Sequence, residues 1–522
     1  MAPARSQDDV LKFLETLPSD DPGCDSVKRI DTHANIVFLT GGKAYKVKRE
    51  VRFPFLDYST LALREEACRA EITCNRDNAP QIYLRALPVT LEADGRLALD
   101  GAGDPVEWAV EMNRFDRSNE LDIMAERAPF SDDLSDSLAE MMVSAHEAAP
   151  LRGGAGFHDE LATYIEQNEA AFHEFPELFA SEDVRHLGDT SRSVLTSLRE
   201  LILKRGEQGL VRRCHGDAHL RNIVQIDGKP VLFDAVEFSD AIATGDVLYD
   251  LAFLLMDLWE RGQRRAANRV FNRYLDKSRL DEHPDGLAAL PFYLMMRAAI
   301  RSKIAASAAL NQKAPDQRDA QQQQARTYFK YALSFLDPSE PHLVAIGGLS
   351  GTGKTTLAYS LAPGIGHAPG ARVLRTDVTR KRLLNIPETG QAPAEAYTQE
   401  ASDRVYQTLD ETIRAVLAAG HSAIFDAVFA AQDERSRIEA IARHVEAGFT
   451  GLWLTAPGTT LKARVSGRVG DASDATTDVV DKQLGYDLGQ MTWAEIDAGG
   501  SMDNTTQLAG ASLGLKDWST SR

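Results

Sequence analysis

Arg213-Cys214-His215-Gly216-Asp217-Ala218-His219-Leu220-Arg221-Asn222 decides how the first part of this chain folds. Twelve residues after Asn222 stands Asp234, in Val231-Leu232-Phe233-Asp234-Ala235-Val236-Glu237. Two short apolar runs lie between them, Ile223 to Ile226 and Val231 to Phe233, split by Asp227-Gly228. That pair predicts a β-hairpin, because the tight turn needs positive φ at its central residues. Pro230 has no N–H to give and is expected at the loop edge rather than in a strand centre. Folding the hairpin makes Asn222 and Asp234 near neighbours. One loop then carries a carboxylate (Asp217), a carboxamide (Asn222) and a second carboxylate (Asp234). Magnesium prefers hard oxygen ligands, commonly one or two carboxylates beside substrate phosphates. The set matches a magnesium site plus a separate carboxylate that can receive a hydroxyl proton.

The chain has 522 residues, enough for two or more domains at roughly 150 residues each. Hydrophobic residues make up 43% and charged residues 26%, the balance of a soluble globular protein. The formal net charge of −19 repels phosphate backbones and disfavours broad nucleic-acid binding, though not a local basic groove. Cys24, Cys68, Cys74 and Cys214 form no C-x-x-C pair and no zinc spacing, as expected of reduced cysteines in a cytoplasmic protein. Met1 to Asp9 lacks a basic-then-apolar signal pattern. Val247 to Trp259 is interrupted by Asp250 and Asp257 and is too short for a bilayer, so it reads as a buried helix. No membrane partner is expected, and the pattern fixes no oligomeric state.

The loop resembles that of the aminoglycoside phosphotransferase family, within the protein-kinase-like superfamily. The resemblance implies a bilobal α+β protein-kinase-like domain over residues 1–336. It makes Asp217 the catalytic base, and Asn222 and Asp234 ligands of Mg²⁺ beside ATP. In such an amino-terminal lobe a hairpin covers the nucleotide. Ala34 to Thr40 and Ala44 to Lys48 read as strands around Gly41-Gly42, and Asp31-Thr32-His33-Ala34-Asn35 replaces the usual glycine-rich loop. Lys46 and Lys48 share a face, since strand side chains alternate. Lys46 is the expected phosphate contact, with Lys48 nearer the strand end and solvent. Leu61 to Arg76 reads as a helix with Glu65, Glu66 and Glu71, and Glu71, deeper in the helix, is the expected partner of the strand lysine. Trp108 to Arg114 falls where a hinge offers backbone groups to adenine, with Glu111, Met112 and Asn113 as candidates and Met112 as the expected contact. Glu237 is expected near the metal. Asp246 resembles the Asp that braces the catalytic loop from a helix start, with N-capping as a compatible role. Ser131 to Ala149, Leu161 to Arg205, Leu290 to Leu310 and Arg318 to Phe335 read as helices of a carboxy-terminal lobe that sets acceptor specificity.

Asp337-Pro338-Ser339-Glu340-Pro341 reads as a linker (337–341). His342 to Gly347 is then a buried strand entering Gly348-Leu349-Ser350-Gly351-Thr352-Gly353-Lys354-Thr355-Thr356 and a helical run. This is G-x-x-x-x-G-K-[ST] in its strand–loop–helix context. The glycines let N–H groups from Gly348 to Thr356 turn inward around phosphates. Lys354 supplies charge to the β/γ-phosphates, and Thr355 offers a hydroxyl to Mg²⁺. The helix amino terminus adds partial positive charge.

Ala371 to Thr376 leads into Asp377, and Ser422 to Phe425 into Asp426. In an open parallel sheet ligands bind beyond the carboxy-terminal strand ends. Asp377 resembles the hydroxyl-activating Asp of small P-loop kinases and polynucleotide kinases, with Arg380 placing the acceptor; a helix N-cap is the structural alternative. Asp426 resembles a Walker-B-type Asp acting through Mg²⁺ or its waters. Arg464 and Arg468, four apart on one helix face, resemble arginines that close over transferring phosphates. Residues 342–500 thus resemble P-loop kinases of the AAA, zeta-toxin and gluconate-kinase type, implying an α/β domain with a mainly parallel sheet. Residues 501–522 read as a mobile tail.

Together the resemblances imply two ATP- and Mg²⁺-dependent phosphotransferase modules, each acting on a small-molecule hydroxyl. One alternative is a polynucleotide 5′-hydroxyl kinase in the second module. The other makes one module a non-catalytic nucleotide-binding regulator. Antibiotic modification does not follow from the fold.

Overall fold

The computed structural model describes residues 6–18, 27–53, 56–280, 284–467 and 472–515. They group into two compact units. One takes the described residues up to Ala128 with Met141–Glu160 and Arg205–Leu254; the other takes Pro129–Glu140, Leu161–Lys204 and the described residues from Leu255 on.

The first unit is built on an antiparallel six-stranded sheet. Its spatial order is Lys28–Asp31, Asn35–Thr40, Lys43–Lys48, Asp104–Asn113, Tyr83–Leu91, Leu97–Leu99. The helix Leu61–Asn75, capped by Thr60 accepting from the Leu63 N–H, buries Arg64, Ala67, Cys68 and Glu71. The Asp227-Gly228 hairpin forms, with Ile223–Ile226 against Lys229–Leu232 and φ of +50° and +78° at the two turn residues. Its Val224 and Val231 join Cys68, Ile82 and Val110 in one apolar cluster, which fixes the loop ends against the sheet. Pro230 departs from expectation by lying within the second strand, opposite Gln225. The residues flanking a two-residue turn exchange hydrogen bonds, so the next pair is non-bonded and a missing N–H there costs nothing. The helix Val247–Glu260 is buried, as its apolar run predicts.

The second unit holds a five-stranded, all-parallel sheet ordered Arg372–Arg375, Ala423–Asp426, His342–Gly348, Gly448–Thr455, Ala494–Asp497. The three inner strands are mainly apolar, as a sheet covered on both faces requires, and the two edge strands carry charged residues. Val344, Ile346, Leu357, Val373, Ile424 and Leu452 form the core beneath the phosphate loop. The helix Arg264–Lys277 packs in this unit: Asn268 and Asn272 donate to Ala371 O at 3.1 Å each. The expectation of a mobile tail over 501–522 fails for Met502–Ser512, and residues 516–522 lie outside the described residues. Met502–Ser512 is a helix capped by Ser501, and it buries Thr505, Thr506, Ala509 and Gly510. Ala509 is small enough to enter the core cluster, and Met502 packs against it. No helix among the described residues is long and apolar enough to cross a membrane. Cys68, Cys74 and Cys214 are free thiols; Cys24 lies outside the described residues.

Candidate active sites

The first site gathers around Lys46. Its Nζ donates to Glu71 Oε1 at 2.8 Å and to Asp234 Oδ1 at 2.6 Å. Burial alone would lower the Lys46 ammonium, but Asp234 and Glu71 outweigh it and hold it well above its usual value. Burial likewise pushes Glu71 up, but Lys46 and Lys48 outweigh it and hold the carboxyl below its ordinary range. The expectation that Lys48 turns to solvent fails. It is fully buried, donating to Glu71 Oε2 at 2.6 Å and to Glu237. Both lysines project from one strand face, and the buried Glu71 on the helix Leu61–Asn75 meets each with one oxygen. Glu237 is an ion-pair partner of Lys48 and also accepts from the Tyr58 hydroxyl at 3.0 Å.

The loop residues converge as the hairpin requires. The Phe233 N–H donates to Asn222 O at 2.9 Å, and Asn222 Nδ2 donates to Asp217 Oδ2 at 2.9 Å. Asp234 takes φ +63°, left-handed for a residue with a Cβ. Such backbone costs about 1–3 kcal/mol and clusters at functional sites. Asp250 braces the loop. Asp250 Oδ1 accepts the Gly216 N–H at 2.8 Å, and its Oδ2 lies 3.2 Å from His146 Nε2. Asp246 pairs with buried Arg205 at 2.5 and 2.8 Å and caps the helix Val247–Glu260 by accepting the Leu248 N–H at 2.9 Å. The one sequence signal for Asp250 is a carboxylate inside an apolar helix. Met112 is the penultimate residue of Asp104–Asn113, paired with Ala44 and Tyr83. The next N–H groups, of Asn113 and Arg114, go to Ile82 O and Gly42 O.

The second site lies at the carboxy-terminal ends of the parallel strands. Gly348, Gly351 and Gly353 take φ of +143°, +89° and +91°, and the helix Lys354–Leu361 starts directly after them. Thr355 Oγ1 donates to Asp426 Oδ2 at 2.5 Å. Lys354 Nζ reaches Leu349 O at 3.2 Å. Ser350 N–H donates to Gln483 Oε1 at 2.7 Å, a contact with no sequence signal. A cavity of about 890 Å³ is lined by Ser350, Gly351, Gly353, Lys354, Thr355 and Thr356, together with Asp377, Arg380, Asp426 and Arg464. Thr352 is buried in the loop, its hydroxyl donating to Leu349 O at 2.8 Å.

Asp377 sits in the first turn of Thr376–Leu383, whose N-cap position is Arg375, so the N-cap alternative is not realised. Burial pushes the Asp377 carboxyl up, Arg375 opposes this, and Asp426 adds to it. Arg380 donates to Ala396 O at 2.5 Å and lies over the Tyr397 ring at 4.8 Å, which fixes it at the cavity wall. Arg464 donates to Gly500 O at 3.2 Å and Gly351 O at 3.5 Å. Arg468 lies outside the described residues.

Residues 56–290 match the family model described as "Phosphotransferase enzyme family", and residues 343–486 match the one described as "AAA domain". The chain joins a phosphotransferase-family region to an AAA domain. Uncharacterized proteins of Mycobacterium tuberculosis and Mycobacterium bovis are each 27% identical over 478 residues, 88% of this chain and 92% of theirs. Those shares exceed either region alone, so the two regions share one polypeptide there too. Among solved structures, a gluconokinase from Sinorhizobium meliloti is 18% identical, covering 34% of this chain and 93% of that one, with TM-score 0.25. A choline/ethanolamine kinase family protein from Mesorhizobium loti is 14% identical, covering 63% and 98%, with TM-score 0.37. The phosphotransferase-family region spans Asn222, Asp234 and Glu71, and the AAA region spans Lys354, Asp377 and Asp426. The family matches support phosphotransfer as the general chemistry.

Proposed function

We propose that the chain is an ATP- and magnesium-dependent phosphotransferase with two centres, one in residues 1–336 and one in residues 342–500. Each passes the γ-phosphate to a hydroxyl of a small molecule. The observation that carries this reading is Lys46 held between Glu71 and Asp234, across 25 and 188 residues of chain. A phosphate-binding lysine fixed by a helix glutamate, beside a metal-binding carboxylate, is the arrangement a phosphoryl-transfer site needs. The donors fit magnesium, being oxygen throughout: Asn222 and Asp234 at one centre, Thr355 and Asp426 at the other. Bound magnesium would neutralise charge developing on the phosphoryl oxygens. The chain's own residues do the rest. Lys46 and Lys354 hold phosphate oxygens, Asp217 and Asp377 receive or orient the acceptor hydroxyl, and Arg380 and Arg464 close the second cavity. Met112 marks the adenine edge of the first centre. This is catalysis by positioning and fixed charge.

The test uses the full chain with labelled ATP and either a small-molecule extract or added RNA and DNA, comparing wild type with Asp217→Asn and Lys354→Ala. Each variant is expected to abolish a different labelled product. If one variant removes every product and the other none, the module whose variant removes none is a non-catalytic nucleotide-binding regulator. If the label enters nucleic acid ends, the acceptor assignment is wrong.

A further inference from the structure

We propose that the helix Arg264–Lys277, which lies inside the stretch matched by the phosphotransferase family, is a working part of the P-loop site, with Arg273 as its positioning residue. The proposal rests on that site being a phosphotransferase centre.

The helix has a fixed footing on the edge strand of the parallel sheet. Asn272 Oδ1 accepts the Val373 N–H at 2.7 Å, and Arg372 reaches Asp276 at 2.5 Å. A bare edge strand carries unpaired backbone groups, and here the helix's amides take them up. From this footing Arg273, 7% exposed, meets Glu388 with both ends of its guanidinium, at 2.9 and 2.6 Å. A two-point fork fixes direction as well as distance. Glu388 Oε1 lies 3.7 Å from Arg375, whose Nε lies 3.8 Å from Asp426 Oδ2. Asp426 in turn holds the Thr355 hydroxyl.

Arg375 thus stands between two carboxylates at nearly equal reach. Arg273 sets which one it favours. With Arg273 in place, Glu388 is already engaged, and Arg375 stays beside Asp426 and Asp377. Without its two-point fork, Glu388 is free to turn toward Arg375 and draws it away from the reacting end of the cavity. Glu388 also anchors the acceptor wall. Its carbonyl accepts from Lys381 Nζ at 2.9 Å, and Lys381 reaches Asp474 at 3.1 Å. Asp474 accepts the Tyr397 hydroxyl at 2.7 Å and the Ala392 N–H at 3.1 Å. Tyr397 and Ala392 both line the 890 Å³ cavity. A neighbouring cavity of about 1180 Å³, bordered by Arg273 and Glu388, shares Thr355, Thr356 and Arg375 with the first.

The experiment uses the full chain carrying Asp217→Asn, so that ADP release reads the second centre alone; analogue binding is taken as the part that Lys354→Ala removes. Magnesium-ATP-dependent ADP release is measured beside equilibrium binding of a fluorescent ATP analogue. Arg273→Gln is expected to slow ADP release roughly tenfold, the scale of a small misplacement at a reacting centre, with analogue binding unchanged within about twofold. Arg273→Lys keeps the charge but not the fork and is expected to stay slow. Because Arg273 acts through Glu388, Arg273→Gln with Glu388→Gln is expected to be no slower than the worse single variant. Wild-type ADP release from Arg273→Gln overturns the proposal, as does a double variant whose losses multiply. Failure of the underlying reading looks different: Lys354→Ala would leave both ADP release and analogue binding unchanged.

Discussion

At the first site, Lys46 is fixed by carboxylates 25 and 188 residues away, and both lie on other elements. At the second, Lys354 follows its glycine loop directly, and its Nζ donates to Leu349 O, five residues back. One site is an ion-pair network that exists only once the unit has folded. At the other, the lysine itself sits in a local backbone cradle set on a strand end, and the ion pairs around Asp426 lie beyond it. The network ties catalysis to stability, while the cradle leaves them separable.

The largest expected effect tests that difference. Glu71→Ala leaves two buried ammonium groups without their shared counter-charge, and breaking a buried pair from one side costs about 3–5 kcal/mol. The loss is read as a drop in the urea midpoint. It is expected to shrink on acidification, because the Glu71 carboxyl titrates below its unfolded value of 4.5 in the fold. Its stabilisation is present above that value and lost as pH falls through the lower folded one. Lys354→Ala is expected to change stability by less than about 1 kcal/mol while removing nucleotide binding. Equal losses in both variants would break the distinction.

Next in size is a pair of glycines. Gly351 has φ +89°, and a Cβ there would stand 2.6 Å from Leu461 O. Gly351→Ala is expected to cost about 1–3 kcal/mol through strain alone and to weaken binding of an ATP analogue. Gly42, in the hairpin beside the first site, has open space where a Cβ would stand. Gly42→Ala is expected to stay within about 0.5 kcal/mol. Thermal unfolding of the two variants, with and without the analogue, checks both.

The same contrast explains what can be read from the sequence. The P-loop is one contiguous run, Gly348 to Thr356, whose glycines and lysine have one job, so its strand, loop and helix are all legible. The Asp227-Gly228 turn and the Asn222–Asp234 approach are legible for the same reason. Lys46 and Lys48 are harder to separate, because alternation puts both on one face and the structure gives both to Glu71. The place of Lys48 at the strand end points to solvent, and the Glu71 helix overrides that. Asp250 escapes notice because an aspartate in an apolar helix has its partner, the Gly216 N–H, 34 residues back. Arg273 and Glu388 are 115 residues apart and belong to no motif. The helix Met502–Ser512 is hidden by glycine and threonine, which look like tail composition but fit a tight helical contact.

The smallest effect separates the two acids most cleanly. Glu71 is pulled down by its lysines, whereas Asp377 is pushed up by burial, with Arg375 opposing and Asp426 adding. A raised carboxyl is neutral in both folded and unfolded chains below its unfolded value of 3.8, so it costs nothing there. Above its folded value the ionised form is disfavoured, and Asp377 subtracts from stability at neutral pH. Asp377→Asn is therefore expected to raise the melting temperature by about 1–3 °C at neutral pH, and not at pH below 3.8. Transfer at the second centre is expected to fall by about 10²–10⁴-fold, the contribution of a positioned proton acceptor. Glu71→Gln is expected to do the opposite to stability at neutral pH, lowering the melting temperature. If Asp377→Asn also melts lower at neutral pH, Asp377 is held by its neighbours as firmly as Glu71. The phosphate cradle would then be tied into the ion pairs around it, and its catalysis would not be separable from its fold.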